Sequence, residues 1–228
     1  MGTRQNVLVA ALIAAVAACS DSSACNSGLI PGQRSTSDGA RHVVIALDRS
    51  GSMQPLAPEV IKSFNKMFNV LPADTLLSLV QFDSLRGADV TLSLVPIEEV
   101  RPLDSEAYRP DGGTPLYDAI AEAVTLGVRG ETVLKTTRAV GPLIAIISDG
   151  AENASEFTNL SAIRSIVAER VSTGWEVRYF GLGPDASAEG ARLGLPATSV
   201  SDLALDADAV GDVFSEIGAG LATSRSMC

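Results

Sequence analysis

Val43-Val44-Ile45-Ala46-Leu47-Asp48-Arg49-Ser50-Gly51-Ser52 is the stretch that decides the fold. Five apolar residues run without a polar break and stop at a carboxylate. A strand with one wet face alternates apolar and polar side chains, whereas an unbroken aliphatic run reads as a strand covered on both faces, as in parallel sheets. Leu143-Ile144-Ala145-Ile146-Ile147-Ser148-Asp149-Gly150 repeats the pattern, again ending in a hydroxyl and a carboxylate. Parallel strands bring their carboxyl ends to one edge, and ligands bind there where the strand order reverses.

Between and beyond these runs the chain alternates helical and extended patterns. Leu56, Val60, Ile61, Phe64, Met67, Phe68 and Leu71 recur at spacings of three and four, the stripe of an amphipathic helix. Leu76 to Phe82 and Val90 to Val95 read as two strands, and the short polar link with Gly87 predicts a hairpin, hence one antiparallel edge. A helix opens at Pro115 and runs through Ala119, Ile120 and Val124. Ile163, Ile166, Val167 and Val171 mark another, ended by Gly174. Val177 to Phe180 is a further strand, and Val210, Val213, Phe214, Ile217 and Leu221 form the last helix. The expected fold is α/β: a doubly wound, mostly parallel sheet with one antiparallel edge strand and helices on both faces.

Composition narrows the chemistry. The 228 residues are 46% apolar and 19% charged, enough for one domain with a real core. Lys and Arg total 17 against 27 acids, a net charge of −10, which is a poor match for nucleic acid or an anionic lipid surface. One histidine and three cysteines nearly exclude a zinc site of the usual His and Cys ligands. Oxygen is what remains, so any metal here is expected to be a hard one.

Three loops supply that oxygen. Asp48-Arg49-Ser50-Gly51-Ser52-Met53 follows the first buried strand, Asp111-Gly112-Gly113-Thr114-Pro115-Leu116 precedes the middle helix, and Ser148-Asp149-Gly150-Ala151-Glu152-Asn153 follows the second buried strand. Singly, each has a plain reading as a capping turn, a helix N-cap before Pro, or an Asp-Gly turn. Together they offer the carboxylates of Asp48 and Asp149 and the hydroxyls of Ser50, Ser52 and Thr114, five donors able to surround a small cation with water filling the rest. Such a shell is mostly neutral and leaves the ion positive and unsaturated. Arg49 and Met53 read as solvent-facing loop residues, and Glu152 as a solvated loop acid.

Asp48-Arg49-Ser50-Gly51-Ser52 is similar to the D-x-S-x-S motif of the von Willebrand factor type A domain. Gly113-Thr114-Pro115-Leu116-Tyr117-Asp118-Ala119-Ile120 resembles that family's threonine loop, and Ile147-Ser148-Asp149-Gly150 its strand ending in Asp-Gly. The resemblance covers about residues 41–222, with the motifs in the family's order. It implies a metal-ion-dependent adhesion site. Ser50, Ser52 and Thr114 would be hydroxyl ligands, with Asp48 and Asp149 ligating directly or through water. It further implies Mg²⁺ or Mn²⁺ rather than Ca²⁺, and a protein partner whose Asp or Glu carboxylate completes the shell. The expected function is a binding module rather than an enzyme.

Two rivals remain open on the residues. In a hydrolase, Ser50 or Ser52 would be the nucleophile or a bound metal would activate water. His42, however, begins the strand that Asp48 ends, roughly 20 Å away at about 3.3 Å per residue. In a structural envelope protein the metal would only order loops. Gly181-x-Gly183-x-x-Ala186 superficially matches a dinucleotide fingerprint, but Pro184 interrupts it.

The first residues read as an address. Val7 to Ala18 are twelve apolar residues after a start carrying Arg4, too few to span a bilayer and typical of a secretory signal. Val16-Ala17-Ala18-Cys19 resembles the bacterial lipoprotein box, which implies lipidation at Cys19 and anchoring in the cell envelope, with the outer membrane or cell surface as destinations. Cleavage near Ala17 or Ala18 would instead give a secreted protein. The expected organisation is a signal peptide at 1–18, a flexible Ser- and Gly-rich tether at 19–40, and the domain at 41–228. Membrane contact would then come through the lipid anchor only. Cys25 and Cys228 are a possible disulfide in an oxidising compartment, or else two unpaired thiols.

Overall fold

The computed structural model describes residues 41–134, 141–184 and 186–223. The expected signal, tether, lipidation site Cys19 and the cysteines Cys25 and Cys228 lie outside the described residues.

Six strands form one sheet: β1 (His42–Asp48), β2 (Leu76–Asp83), β3 (Gly87–Pro96), β4 (Leu143–Ser148), β5 (Glu176–Leu182) and β6 (Val200–Leu203), in the order β3-β2-β1-β4-β5-β6. Only β2 and β3 pair antiparallel; β1 pairs parallel with both β2 and β4. The chain leaves β1 to one side and returns as β4 on the other, so strand order reverses between them and opens the expected crevice at their carboxyl ends.

Alternation along β1 explains its apolar run. All seven residues are buried. Val43, Ile45 and Leu47 face one layer, built with Val60, Phe64 and Met67 of α1 (Ala57–Met67) and Val213, Phe214 and Ile217 of α5 (Ala207–Thr223). Val44 and Ala46 face the other, built with Ile120 and Ala123 of α2 (Leu116–Leu134) and Ile163 and Val167 of α3 (Leu160–Ser172). Each fully buried aliphatic side chain contributes about 1.5–3 kcal/mol, and a polar residue within Val43 to Leu47 loses that on one face or the other.

The boundaries follow local chemistry. A short 3₁₀ segment, Gly51–Leu56, carries the chain from the first loop into α1. Asn159 caps α3 by accepting from Ala162 N at 3.0 Å. Gly174 follows it with φ +93°, as a left-handed helix exit requires. The hairpin is tighter than the sequence suggests, because β3 begins at Gly87 itself. Its register shifts near Leu77–Val80, and Leu94 sits at φ +54° with its N–H donated to Ser78 Oγ at 2.9 Å. Two elements escape the sequence patterns: α4 (Ala186–Arg192), polar and seven residues long, and β6, four residues long.

His42 starts β1 and lies at the end of the strand opposite Asp48. Its Nε2 is 2.8 Å from Ser78 Oγ. Burial depresses its pKa to about 4. Gly181 is locked into the β5 ladder opposite Ser148 and Asp202 rather than free in a phosphate-cradling turn.

Candidate metal centre

Asp48 is the last residue of β1 and is fully buried. Its side chain is fixed by two donors: Ser50 N–H gives to Oδ1 at 2.7 Å, and Ser148 O–H gives to Oδ2. Burial pushes its pKa up to about 6 against the pull of these hydrogen bonds, and neighbouring Asp149 adds to the rise. Ser50 Oγ is 3.1 Å from Ser52 Oγ, and Ser52 O–H donates to Asp149 Oδ1 at 2.8 Å. Burial raises the Asp149 carboxyl as well. Its other oxygen, Oδ2, is buried and has no hydrogen-bond partner.

Thr114 is almost completely buried. A Cβ on Gly150 would lie 3.4 Å from Thr114 Oγ1, an ordinary contact distance, so the threonine loop abuts the residue after Asp149. Four of the five expected donors are therefore linked through direct contacts in the first and third loops, and the fifth abuts the residue after Asp149. The loops are also tied through backbone: Gly51 N–H donates to Gly112 O at 3.0 Å and Asp111 N–H to Arg49 O at 2.9 Å.

The helix-cap reading of Thr114 does not describe α2. Its first amides go elsewhere: Tyr117 N–H to Glu152 Oε2 at 2.9 Å and Ser155 Oγ at 3.0 Å, and Asp118 N–H to Ser155 Oγ at 3.2 Å. The cap comes from a neighbouring loop. Glu152 is accordingly no solvated acid. It is half-buried and also takes the N–H groups of Ala154 and Ser155 at 2.8 and 2.7 Å, which leaves it poorly placed as a general base.

Arg49 and Met53 depart from the solvent-facing expectation. Met53 is fully buried in the core. Arg49 is 4% exposed and pairs with the fully buried Asp83 at 2.7 Å, while Arg86 reaches the same carboxylate at 2.9 Å. Burial alone would raise Asp83, but the two guanidinium hydrogen bonds overcome it and hold the carboxyl below its ordinary range. Arg49 turns away from the loop because a buried carboxylate at the end of β2 needs a cation. Sequence reading also misses Tyr108, whose O–H donates to the Asp48 carbonyl at 2.6 Å. No local pattern marks it, because the partner is 60 residues away.

The donor set suits a hard cation. Two carboxylates and three hydroxyls line neighbouring loops, and among the described residues no Lys or Arg pairs with Asp48 or Asp149. An orphaned, buried carboxylate oxygen with no cation beside it fits a site for a positive partner. Among the described residues no group of three or more His, Cys, Asp or Glu is placed to hold a metal, so an ion here needs the hydroxyls.

No protein-family model matches the chain, and no curated protein does. Solved structures do. A von Willebrand factor type A protein from Catenulispora acidiphila superposes with a TM-score of 0.54 at 16% identity, over 79% of this chain and 42% of that one. The pilus adhesin SpaC from Lactobacillus rhamnosus GG gives 0.62 at 14% identity, over 83% and 31%. The manganese-loaded TRAP protein of Plasmodium vivax gives 0.51 at 17% identity, over 77% and 72%. This chain spans less than half the length of the first two. At these identities the likeness establishes the fold, that of a von Willebrand factor type A domain.

Proposed function

We propose that this chain is an exported, lipid-anchored binding module that captures a protein ligand through a divalent cation held by Asp48, Ser50, Ser52, Thr114 and Asp149. The observation that carries the reading is the orphaned Oδ2 of Asp149, buried beside a second carboxylate and three hydroxyl-bearing residues. The manganese-loaded TRAP protein supports a divalent ion in this fold, and the pilus adhesin supports a role in surface attachment.

When bound, the ion supplies an electrophilic position for a partner's Asp or Glu carboxylate. Mg²⁺ or Mn²⁺ is the expected species. The chain's own residues do the rest. Tyr108 and the Ser50 amide fix Asp48 from behind, the Ser50–Ser52–Asp149 contacts set the donors side by side, and the mostly neutral shell leaves charge for the partner to answer. Attachment would come through acylation at Cys19, on the resemblance of Val16-Ala17-Ala18-Cys19 to a lipoprotein box; among the described residues no helix is long and apolar enough to cross a membrane.

The test is capture from envelope extracts by the full chain with Mg²⁺, with EDTA, and with Ser52→Ala. Partners recovered in Mg²⁺ and lost in EDTA and in the variant support the reading; capture indifferent to EDTA removes it. Intact mass of the exported protein tests the anchor, since an unmodified Cys19 excludes it.

A further inference from the structure

Thr114 is gripped from both sides. On one side the turn between β2 and β3 meets Gly113 at two points: Ser84 N–H donates to Gly113 O at 3.0 Å, and Gly113 N–H donates to Ser84 Oγ at 2.7 Å. On the other, the loop after β4 meets Thr114 at two points: Thr114 N–H donates to Asn153 Oδ1 at 2.8 Å, and Asn153 N–H donates to Thr114 O at 3.2 Å. The fit leaves no room for a side chain between the clamps, since a Cβ on Gly113 would lie 2.7 Å from Asn153 Oδ1.

The first clamp is itself anchored. Asp83 Oδ1 accepts from Leu85 N and Arg86 N at 2.9 and 2.8 Å, which shapes the turn carrying Ser84, and Asp83 Oδ2 holds Arg49 at 2.7 Å. Arg49 directly follows Asp48. A circuit therefore runs from Asp48 through Arg49, Asp83, Ser84 and Gly113 to Thr114, and Asn153 closes it onto the loop of Asp149.

We infer that Ser84 and Asn153 are positioning residues that hold the Thr114 hydroxyl where the candidate metal centre needs it. This rests on the reading of Thr114 as a ligand. Neither residue belongs to the donor set; each acts through the backbone it fixes. Residues in this outer position typically set metal affinity by about 10–100-fold. The site is thereby preformed, and displacing Thr114 requires at least one two-point clamp to open.

The experiment titrates the full chain with Mn²⁺ by calorimetry and records thermal melting in EDTA alongside. Asn153→Ala and Ser84→Ala are each expected to weaken Mn²⁺ binding about 10–100-fold, and Ser84→Thr, which keeps the hydroxyl, to restore it. In a Thr114→Ala background, Asn153→Ala should cost no further affinity, because the ligand it positions is already gone. An equally large loss in that background makes Asn153 a general structural residue and overturns the inference. So does wild-type affinity in Asn153→Ala and Ser84→Ala while Thr114→Ala binds weakly, a result that leaves the metal reading standing. Unchanged binding in Thr114→Ala, or no Mn²⁺ binding by the wild type, removes the metal reading and the inference with it.

Discussion

Ser52 donates its hydroxyl proton to Asp149 at 2.8 Å across 97 residues of sequence. That contact joins the loop after β1 to the loop after β4, at the point where the strand order reverses. One proton on one serine thus reports whether the two halves of the candidate centre are in register.

Ser52→Ala should therefore separate site from scaffold. Loss of one exposed hydrogen bond costs about 0.5–1.5 kcal/mol in EDTA. Metal-linked stabilisation should suffer far more. For the wild type, free Mn²⁺ at a hundred times its dissociation constant should add about 2.7 kcal/mol to unfolding. Urea melts with and without Mn²⁺ measure both quantities; a variant stabilised by Mn²⁺ as strongly as the wild type would place the ion elsewhere.

Arg49→Met should be among the costliest substitutions near the loops. It removes the more deeply buried of two cations serving Asp83 and leaves a fully buried carboxylate undercompensated. Breaking such a pair costs about 3–5 kcal/mol. Arg86→Ala removes the partner that is 42% exposed and should cost under about 1 kcal/mol. Denaturant midpoints of the two variants test the ordering.

The stability that His42 contributes should fall as pH drops through its titration window. Burial holds its folded pKa near 4, below the unfolded value of 6.5, so between these the unfolded chain binds the extra proton. The contribution is complete above pH 6.5 and lost toward pH 4, up to about 3 kcal/mol in all. Asp48, raised to about 6, titrates inside the same window with the opposite sign, so the measurement is the difference in unfolding free energy between wild type and His42→Gln across the window. Parallel pH profiles would contradict the assignment.

Gly130→Ala pits two effects against each other. Alanine is better than glycine within a helix by up to about 1 kcal/mol. Here, however, the added methyl would run into the His42 ring. Overpacking of a rigid buried ring costs about 1–3 kcal/mol, so net destabilisation is expected in thermal melts.

The sequence made legible what is periodic or motif-bound. The continuous runs at 43–47 and 143–147 marked the two central strands, because a short aliphatic run bounded by turn residues is what a strand buried on both faces presents. The candidate donors Asp48, Ser50, Ser52, Thr114 and Asp149 stood out because their loops follow or precede those elements. What stayed hidden depends on contacts distant in sequence. Arg49 reads as a loop cation until Asp83 is found beside it, Tyr108 reads as one aromatic in a polar stretch, and the cap of α2 comes from Glu152 and Ser155 on another loop. β6 and α4 escaped for want of length, since four and seven residues show no usable period.

The kink at Leu94 bears on how one molecule meets the next. β3 is a ten-residue strand at the sheet margin, long enough to template a foreign strand through its free amides and carbonyls. A left-handed residue near its end, pinned by Ser78, spoils the flat row of groups that such stacking needs. Straightening that bend would lengthen the flat edge open to pairing with another strand.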